Sequence, residues 1–475
     1  MNKLMTAADA AALIIDGATI AITGAGGGLL EPDDLLAAIE RRFLETGRPR
    51  ALTVVHAQGL GDGGHRGLNH LAHENLVARV IGAHWSWSPR MQTLAAEEKI
   101  EAYALPGGVI QHLIRETGAG RPGLITTVGI GTMVDPRMQG GRMNARATRA
   151  LSEILTFDSR EYIRYRPLKI DVALLRGSVA DGAGNVSLQD EGAELDALAL
   201  AMAAHNNHGS VIVQVKRTVG NGELMARTVR LPGALTDAIV VSPDQPQSYA
   251  RETLYGLSGC ERANVEVGNP GFPPSSIERR IIGTRAADEL RDAAIVSFGF
   301  GIPDEVATVA AQDGRLARCY QTLDHGHYGG KPLKGDLFGF VRNGEALIDS
   351  PSQFDFYSGG GVDIAFLGFG QFDRAGNVNV SRLQGAIVGP GGFIDISQGA
   401  RKVVFCGTFE AKGLELELAH SRVTIVKPGA IAKLVAAVDE VITVAREARS
   451  WEPTTLAARI AATVCGSRSA RTECT

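Results

Sequence analysis

The strongest constraint on what this chain can fold into is that it repeats itself. "DVALLRGSVADGAGNV" from Asp171 and "DIAFLGFGQFDRAGNV" from Asp363 align at one constant offset. Asp171 meets Asp363, Ala173 meets Ala365, Leu175 meets Leu367, Asp181 meets Asp373, and "AGNV" recurs. Upstream of each lies a second matching pair, "DGATIAITG" from Asp16 and "DAAIVSFG" from Asp292. Each of these is an apolar run ending in glycine, then a Gly-rich loop, then "EPDD" or "IPDE" opening a helix. Two pairs in the same order point to a duplicated domain rather than to common strand–turn pieces. The offsets differ because the first half carries a longer insertion. The predicted organisation is an N-terminal domain over 1–267, a linker over 268–276, a related C-terminal domain over 277–449 and a divergent tail over 450–475. The linker rests on "VGNPGFPPSS", whose three Pro and two Gly suit an exposed connection.

Within each half, strand and helix signals alternate. "LTVVHAQG", "VIVQV", "AIVSFG", "VDIAFLG" and "KVVFCG" are continuous apolar runs, which suits strands buried on both faces. "DDLLAAIERRFLET" reads as a helix: Leu35, Ile39 and Phe43 recur every four residues, Pro32 precedes it and Gly47 ends it. The fold class is therefore α/β, with two related domains built on largely parallel central sheets. "DGAGNV" and "DRAGNV" read as tight turns joining paired strands, with Gly-Asn supplying positive φ.

A chain of 475 residues, 44% hydrophobic and 21% charged, can bury large cores. Its net charge of -4 is too mild and mixed for nucleic-acid or membrane-surface binding. The N-terminal apolar stretch is interrupted by Asp9 and Asp16, so no signal peptide is expected there, and no run has the length of a membrane span. Five scattered Cys make no disulfide framework and no CxxC occurs, so a reducing cytoplasm is the expected location.

Few residues stand out as chemistry. The loops "TGAGGGLLEPDD" and "GFGIPDE" each follow a strand and precede a helix, where exposed N–H groups bind anions, yet GxGxxG fails at Leu29 and no GK[ST] occurs. Gly359, Gly360 and Gly361 precede a strand, and Gly389, Gly391 and Gly392 form another cluster; each reads either as a tight turn or as backbone brought close to a ligand. His65, His70 and His73, with Glu74, lie close together in sequence; packing or polar contacts are the simpler reading, and no metal is expected. No GxSxG nucleophile elbow exists. Asp324, in "YQTLDHGHYGG", has no Arg or Lys within several residues to neutralise it. Taken alone, it reads as a turn-forming Asp.

The stretches "GLNHLAHENLVARVIGAHW", "VDPRMQGGRMN", "DVALLRGSVADGAGNVS", "SQFDFYSGGGVDIAFLG" and "GPGGFIDISQGARKVVFCGTFEAKGLE" resemble, in order, a family I CoA-transferase with its α-like and β-like halves fused on one chain. The match spans residues 5–449. The resemblance implies an active site between the two domains, coenzyme A thioester as substrate with no permanently bound cofactor, an acyl-CoA and a carboxylate as small-molecule partners, and homo-oligomers. It implies a carboxylate nucleophile that forms a mixed anhydride and then an enzyme–CoA thioester. The family's Glu falls on Asp324, with oxyanion donors at Gly299, Phe300, Gly301, Gly391 and Gly392. Gly24, Gly26, Gly107, Gly359, Gly360 and Gly361 fall on substrate or CoA loops, and His325 and His327 are auxiliary candidates.

The sequence departs from the family at the same cleft. Asp324 replaces Glu, removing one methylene and roughly 1.5 Å of reach. Gly107 stands where relatives carry a Gln whose amide helps line the site, and Ala25 and Gly26 replace the second Gly and the Phe of a GGF-like signature. A shortened acid can attack as before or hold and deprotonate water, with His325 or His327 assisting. The readings are therefore CoA transfer, acyl-CoA or β-oxo acyl-CoA hydrolysis on the same scaffold, and non-catalytic acyl-CoA binding. The tail "SWEPTTLAARIAATVCGSRSARTECT" departs from the family's strand-forming continuation; it reads as a truncated end or a shifted frame and is expected to pack poorly.

Overall fold

The repeated apolar runs form the centre of two parallel sheets. In the computed structural model, which describes residues 3–250, 256–263, 276–419, 422–443, 449–455 and 460–467, the chain gathers into two units. The first holds Met1–Asn264, Asp324–Phe354 and Gly385–Gly392; the second holds Val265–Leu323, Asp355–Gln384 and Phe393–Thr475. Chain order and compact unit thus differ: two segments read as part of the second half pack with the first. The expected linker lies outside the described residues except for Ser276.

The first unit is built on β1 (Leu4–Met5), β2 (Thr19–Ile22), β3 (Leu52–His56), β4 (Val77–Gly82), β5 (Glu101–Ala104), β6 (Val172–Asp181), β7 (Ser210–Val219) and β8 (Ala238–Val241). Their order is β1-β8-β7-β6-β2-β3-β4-β5 and every pairing along this path is parallel. The path runs one way from β2 to β5 and the other way from β6 to β8. The switch point therefore falls between β2 and β6, and in such sheets ligands bind beyond the carboxyl ends of the strands. Helix α1 (Asp33–Thr46) has the predicted bounds: Leu35 and Ile39 are buried, and Gly47 closes it in the left-handed region at φ 67°, donating its N–H to Phe43 O. The site also draws on α2 (Pro89–Ala96) and α3 (Gly107–Gly118), which follow β4 and β5.

The second unit repeats the pattern with β9 (Ile295–Phe298), β10 (Tyr320–Leu323), β11 (Ile364–Leu367) and β12 (Lys402–Thr408). Their order β10-β9-β11-β12 is parallel throughout and matches β3-β2-β6-β7. The duplication extends to single hydrogen bonds. Asp171 Oδ2 accepts from Thr19 N–H at 2.9 Å, and Asp363 Oδ2 accepts from Ile295 N–H at 2.9 Å. Asp181 Oδ1 accepts from the N–H groups of Ala183 and Asn185, and Asp373 Oδ1 accepts from those of Ala375 and Asn377. In these turns only the glycines, Gly184 and Gly376, take positive φ; Asn185 and Asn377 instead donate their side-chain amides to the same Asp. The core beneath β9 and β11 stacks Phe298 on Phe366 at 5.2 Å between ring centres, with Val306 and Val404 buried around them. Fully burying one such ring contributes roughly 1.5–3 kcal/mol.

In the tail, Arg449–Thr455 and Ile460–Ser467 form strands, the latter pairing antiparallel with β12. No helix among the described residues is long and apolar enough to cross a membrane.

Candidate active site

The first unit's carboxyl edge carries the residues of interest. Ala83 follows β4, Ala57 follows β3 and Gly107 begins the helix after β5. The segment Gly385–Gly392 is laced onto this edge: Gly391 N–H donates to Ala83 O at 2.9 Å, Trp85 N–H to Val388 O at 2.8 Å, and Gly107 N–H to Gly391 O at 2.8 Å. A Cβ on Gly389 would lie 2.3 Å from Ala83 O, so the turn needs glycine to seat this closely.

Asp324 meets that turn. It directly follows β10, and its Oδ2 lies 3.2 Å from where a Cβ on Gly392 would stand, with the buried Phe354 ring on the same side. Oδ1 lies 3.0 Å from His325 Nδ1, a charge contact that lacks the alignment of a hydrogen bond. Burial by itself raises the Asp324 carboxyl; His325 beside it and the N–H groups of Asp324 and His325 outweigh burial, and the net effect holds the acid below its ordinary value. The carboxylate is therefore ionised at neutral pH although it is almost enclosed.

The other predicted residues separate into groups. Among the donors, Gly391 spends its N–H on Ala83 and Gly299 spends its own on Phe366 O at 2.8 Å, which corrects both assignments. Gly392 N–H takes no main-chain partner among the described residues. Phe300 and Gly301 belong to the second unit, where Phe300 is 58% exposed and Gly301 has φ 92°. In the Gly359, Gly360 and Gly361 run the N–H groups go to Asp355 O, Tyr357 O and Phe356 O, closing the helix Ser350–Ser358. His325 touches Asp324, whereas His327 is bonded to the Gly192 main chain and is pushed down to about 4, by burial first and by His325 second, so it is neutral.

Gly24 and Gly26 allow close packing at the switch point. A Cβ on Gly24 would strike Glu31 and Leu60, and one on Gly26 would strike the Trp87 indole. His84 lies on the same wall: its Nδ1 is 2.8 Å from the Cβ position of Gly59 and its Cδ2 is 3.9 Å from that of Gly391. Gly27 is tighter still, at φ 77° with a Cβ position only 1.9 Å from Asp336 O. Gly27→Ala should lower stability by about 1–2 kcal/mol from the left-handed backbone alone, with the clash adding to it. A urea midpoint equal to wild type would contradict this close approach.

Beneath this loop is a buried hydrogen-bond chain that the sequence did not reveal. Glu31 Oε1 accepts from Gly61 N–H at 3.0 Å, and Tyr249 Oη lies 2.9 Å from Glu31 Oε2 and 3.1 Å from Asp33 Oδ1. Burial pushes Glu31 up to about 8. Burial also raises Asp33, but His70, Gly67 and Tyr249 bring it below its ordinary value. One phenol proton cannot serve two carboxylates, so protonated Glu31 donates to Tyr249 Oη and Tyr249 donates to ionised Asp33. His70 and His73 both engage Glu40, at 2.6 and 2.7 Å, while Glu74 pairs with Lys99. Among the described residues no group of three or more His, Cys, Asp or Glu is arranged to hold a metal.

Comparison with known proteins decides the family. The profile described as Coenzyme A transferase matches residues 4–242. The chain belongs to the coenzyme A transferase family. It is 38% identical over 438 residues to acetate CoA-transferase YdiF of Escherichia coli O157:H7, covering 92% of this chain and 82% of the relative. It is 41% identical over 453 residues to caffeate CoA-transferase of Acetobacterium woodii, covering 93% and 85%. The YdiF apoenzyme structure matches with TM-score 0.86 and 38% identity, over 93% of this chain and 83% of that one. A YdiF thioester complex with CoA matches with the same score.

Proposed function

We propose that this CoA-transferase moves CoA between a short-chain acyl-CoA and a carboxylic acid, with Asp324 as the covalent nucleophile. One observation carries the assignment: an ionised, nearly enclosed carboxylate, with no Arg or Lys ion partner among the described residues, sits against Gly392, whose N–H takes no main-chain partner among them, at the carboxyl edge of a parallel sheet. The resemblance of the surrounding sequence, which puts the family's Glu at this position, supports the same reading.

In this reading Asp324 attacks the thioester carbonyl and expels CoA thiolate, leaving an acyl-aspartyl anhydride. The thiolate attacks the aspartyl carbonyl and releases the first carboxylate, leaving an aspartyl–CoA thioester. The acceptor carboxylate then attacks that thioester and releases the thiolate, which attacks the acceptor's acyl carbon and regenerates Asp324. No proton is gained or lost overall. The thiolate and the carboxylate are the leaving groups, so the work left to the protein is positioning and oxyanion stabilisation.

Incubation with acyl-CoA and no acceptor should leave CoA attached through a thioester to the peptide containing Asp324, as read by mass spectrometry. Hydrolysis is the second reading, favoured by the retraction of the carboxylate onto His325. Sustained release of free thiol without acceptor, and no adduct, would replace transfer by hydrolysis.

A further inference from the structure

Helix α3 brings a second polar group to the Asp324 turn. At its first residue, Gly107 donates to Gly391 O, and a Cβ there would stand 3.4 Å from the same carbonyl. One turn later His112 Nε2 lies 3.0 Å from Pro351 O. These contacts set the helix's rotation: the Gly107 side meets the turn at Gly391 and Gly392, and the His112 side meets the segment that runs on to Phe354. Gln111 falls between them, about 40° around the axis from Gly107 and about 100° from His112. Helical side chains lean toward the N-terminus, so Gln111 covers the turn that Gly107 leaves bare.

Gln111 is 0% exposed, and neither its Oε1 nor its Nε2 has a hydrogen-bond partner among the described residues. Burying an amide this way costs stability, and a helix interior position of this kind is more naturally filled by Leu or Met. No hydrogen bond among the described residues offsets the cost, whereas an oxygen of a ligand bonded at Asp324 would. Asp324 Oδ2 and the Phe354 ring both border Gly392, the residue next to the Gly391 that Gly107 bonds.

We infer that Gln111 is a catalytic residue that donates its amide N–H to the acyl oxygen of the thioester bound at Asp324, and to the oxyanion that develops there. This rests on the transferase reading only in taking an acyl thioester as the ligand. A neutral amide suits the task because its bond strengthens as the oxygen gains charge, and it adds no charge that would compete with the Asp324 carboxylate.

Gln111→Met keeps the side chain's length and removes both polar atoms; Gln111→Leu serves if the Met variant does not fold. The expected result is a Tm at or above wild type, because a buried unpaired amide is gone, together with a fall of about a hundredfold in kcat/KM. Preference for acetyl-CoA over free CoA in equilibrium binding should fall as well. A filler role predicts the reverse, a lowered Tm with wild-type kcat/KM and binding, and that result overturns the inference. Mass spectrometry of wild type keeps the two ideas apart. If wild type forms no Asp324–CoA thioester, the transferase reading fails, and Gln111 is then judged by the acetyl-CoA preference alone: its loss upholds the inference and its retention ends it.

Discussion

Asp324→Asn should abolish the enzyme–CoA thioester and slow CoA transfer by about 10⁴-fold or more, the scale seen when a covalent nucleophile is removed. An amide at this position cannot form the anhydride; it keeps the volume between His325 and Gly392 but loses the stability that the depressed carboxylate contributes at neutral pH, so a modest fall in Tm should accompany the loss. Asp324→Glu is the sharper test. The carboxylate is held in its ionised form by His325 and by two backbone N–H groups, and an aspartate is one methylene shorter than a glutamate would be here. Restoring roughly 1.5 Å of reach should raise transfer about ten- to a hundredfold if attack on the thioester carbonyl is limiting. A site committed to water activation would instead lose activity, because the added length fills the space the water needs. Equal rates for Asp, Asn and Glu at this position would remove residue 324 from the chemistry.

The pH dependence follows from the same environment. The folded Asp324 lies below its ordinary value, so the nucleophile stays charged throughout the neutral range and into mild acid. Transfer should therefore be flat on the acid side until the pH falls below the usual aspartate range. The sign for stability agrees: the contribution is present above the unfolded pKa and is lost as the pH falls through the depressed folded value. A rate that halves near pH 6 would require a different titrating group.

What the sequence made legible was whatever local pattern alone determines. Strands buried on both faces must be apolar throughout, so β3, β7, β9, β11 and β12 stood out. Asp171 and Asp363 recur because each one's carboxylate accepts from the neighbouring strand's N–H. Helix α1 was bounded by Pro32 and Gly47, whose backbone restrictions act locally. Asp324 stood out as an acid without a local cation. The fate of individual N–H groups did not, because a GPGG run reads the same whether its amides point at a ligand or at Ala83, some three hundred residues earlier. The Gly359, Gly360 and Gly361 run closes a helix, which residue type alone does not separate from a ligand loop because both use glycine. Gln111 and Glu31 lie in segments whose pattern was plain, yet their importance comes from burial without a partner or with a shared proton, and the long-range packing that buries them leaves no trace in residue spacing.

Glu31→Gln should stabilise the protein at neutral pH, and by an amount that grows with pH. In the folded state Glu31 is fully buried and its pKa is pushed up to about 8 from an ordinary 4.5, burial being the largest cause. The folded chain therefore holds a proton that the unfolded chain releases above about pH 4.5. Stability from this group is highest in acid, falls as pH rises through that value, and levels off only beyond the folded pKa. The accumulated cost at pH 7 is about 3 kcal/mol, an order-of-magnitude figure from the pKa difference. Gln removes the titration while keeping the chain of bonds: its Oε1 accepts from Gly61 N–H, and its amide N–H donates to Tyr249 Oη, which still donates to Asp33. Urea midpoints of the two proteins should coincide near pH 4.5 and diverge steadily toward pH 8. Parallel curves across that range would mean that Glu31 is ionised in the fold and that Tyr249 donates to it rather than to Asp33. The same substitution leaves Asp324 and its surroundings untouched, so the gain in stability should come with unchanged transfer activity, which identifies the buried proton as a cost of shaping the loop over Gly24 rather than a participant in the reaction.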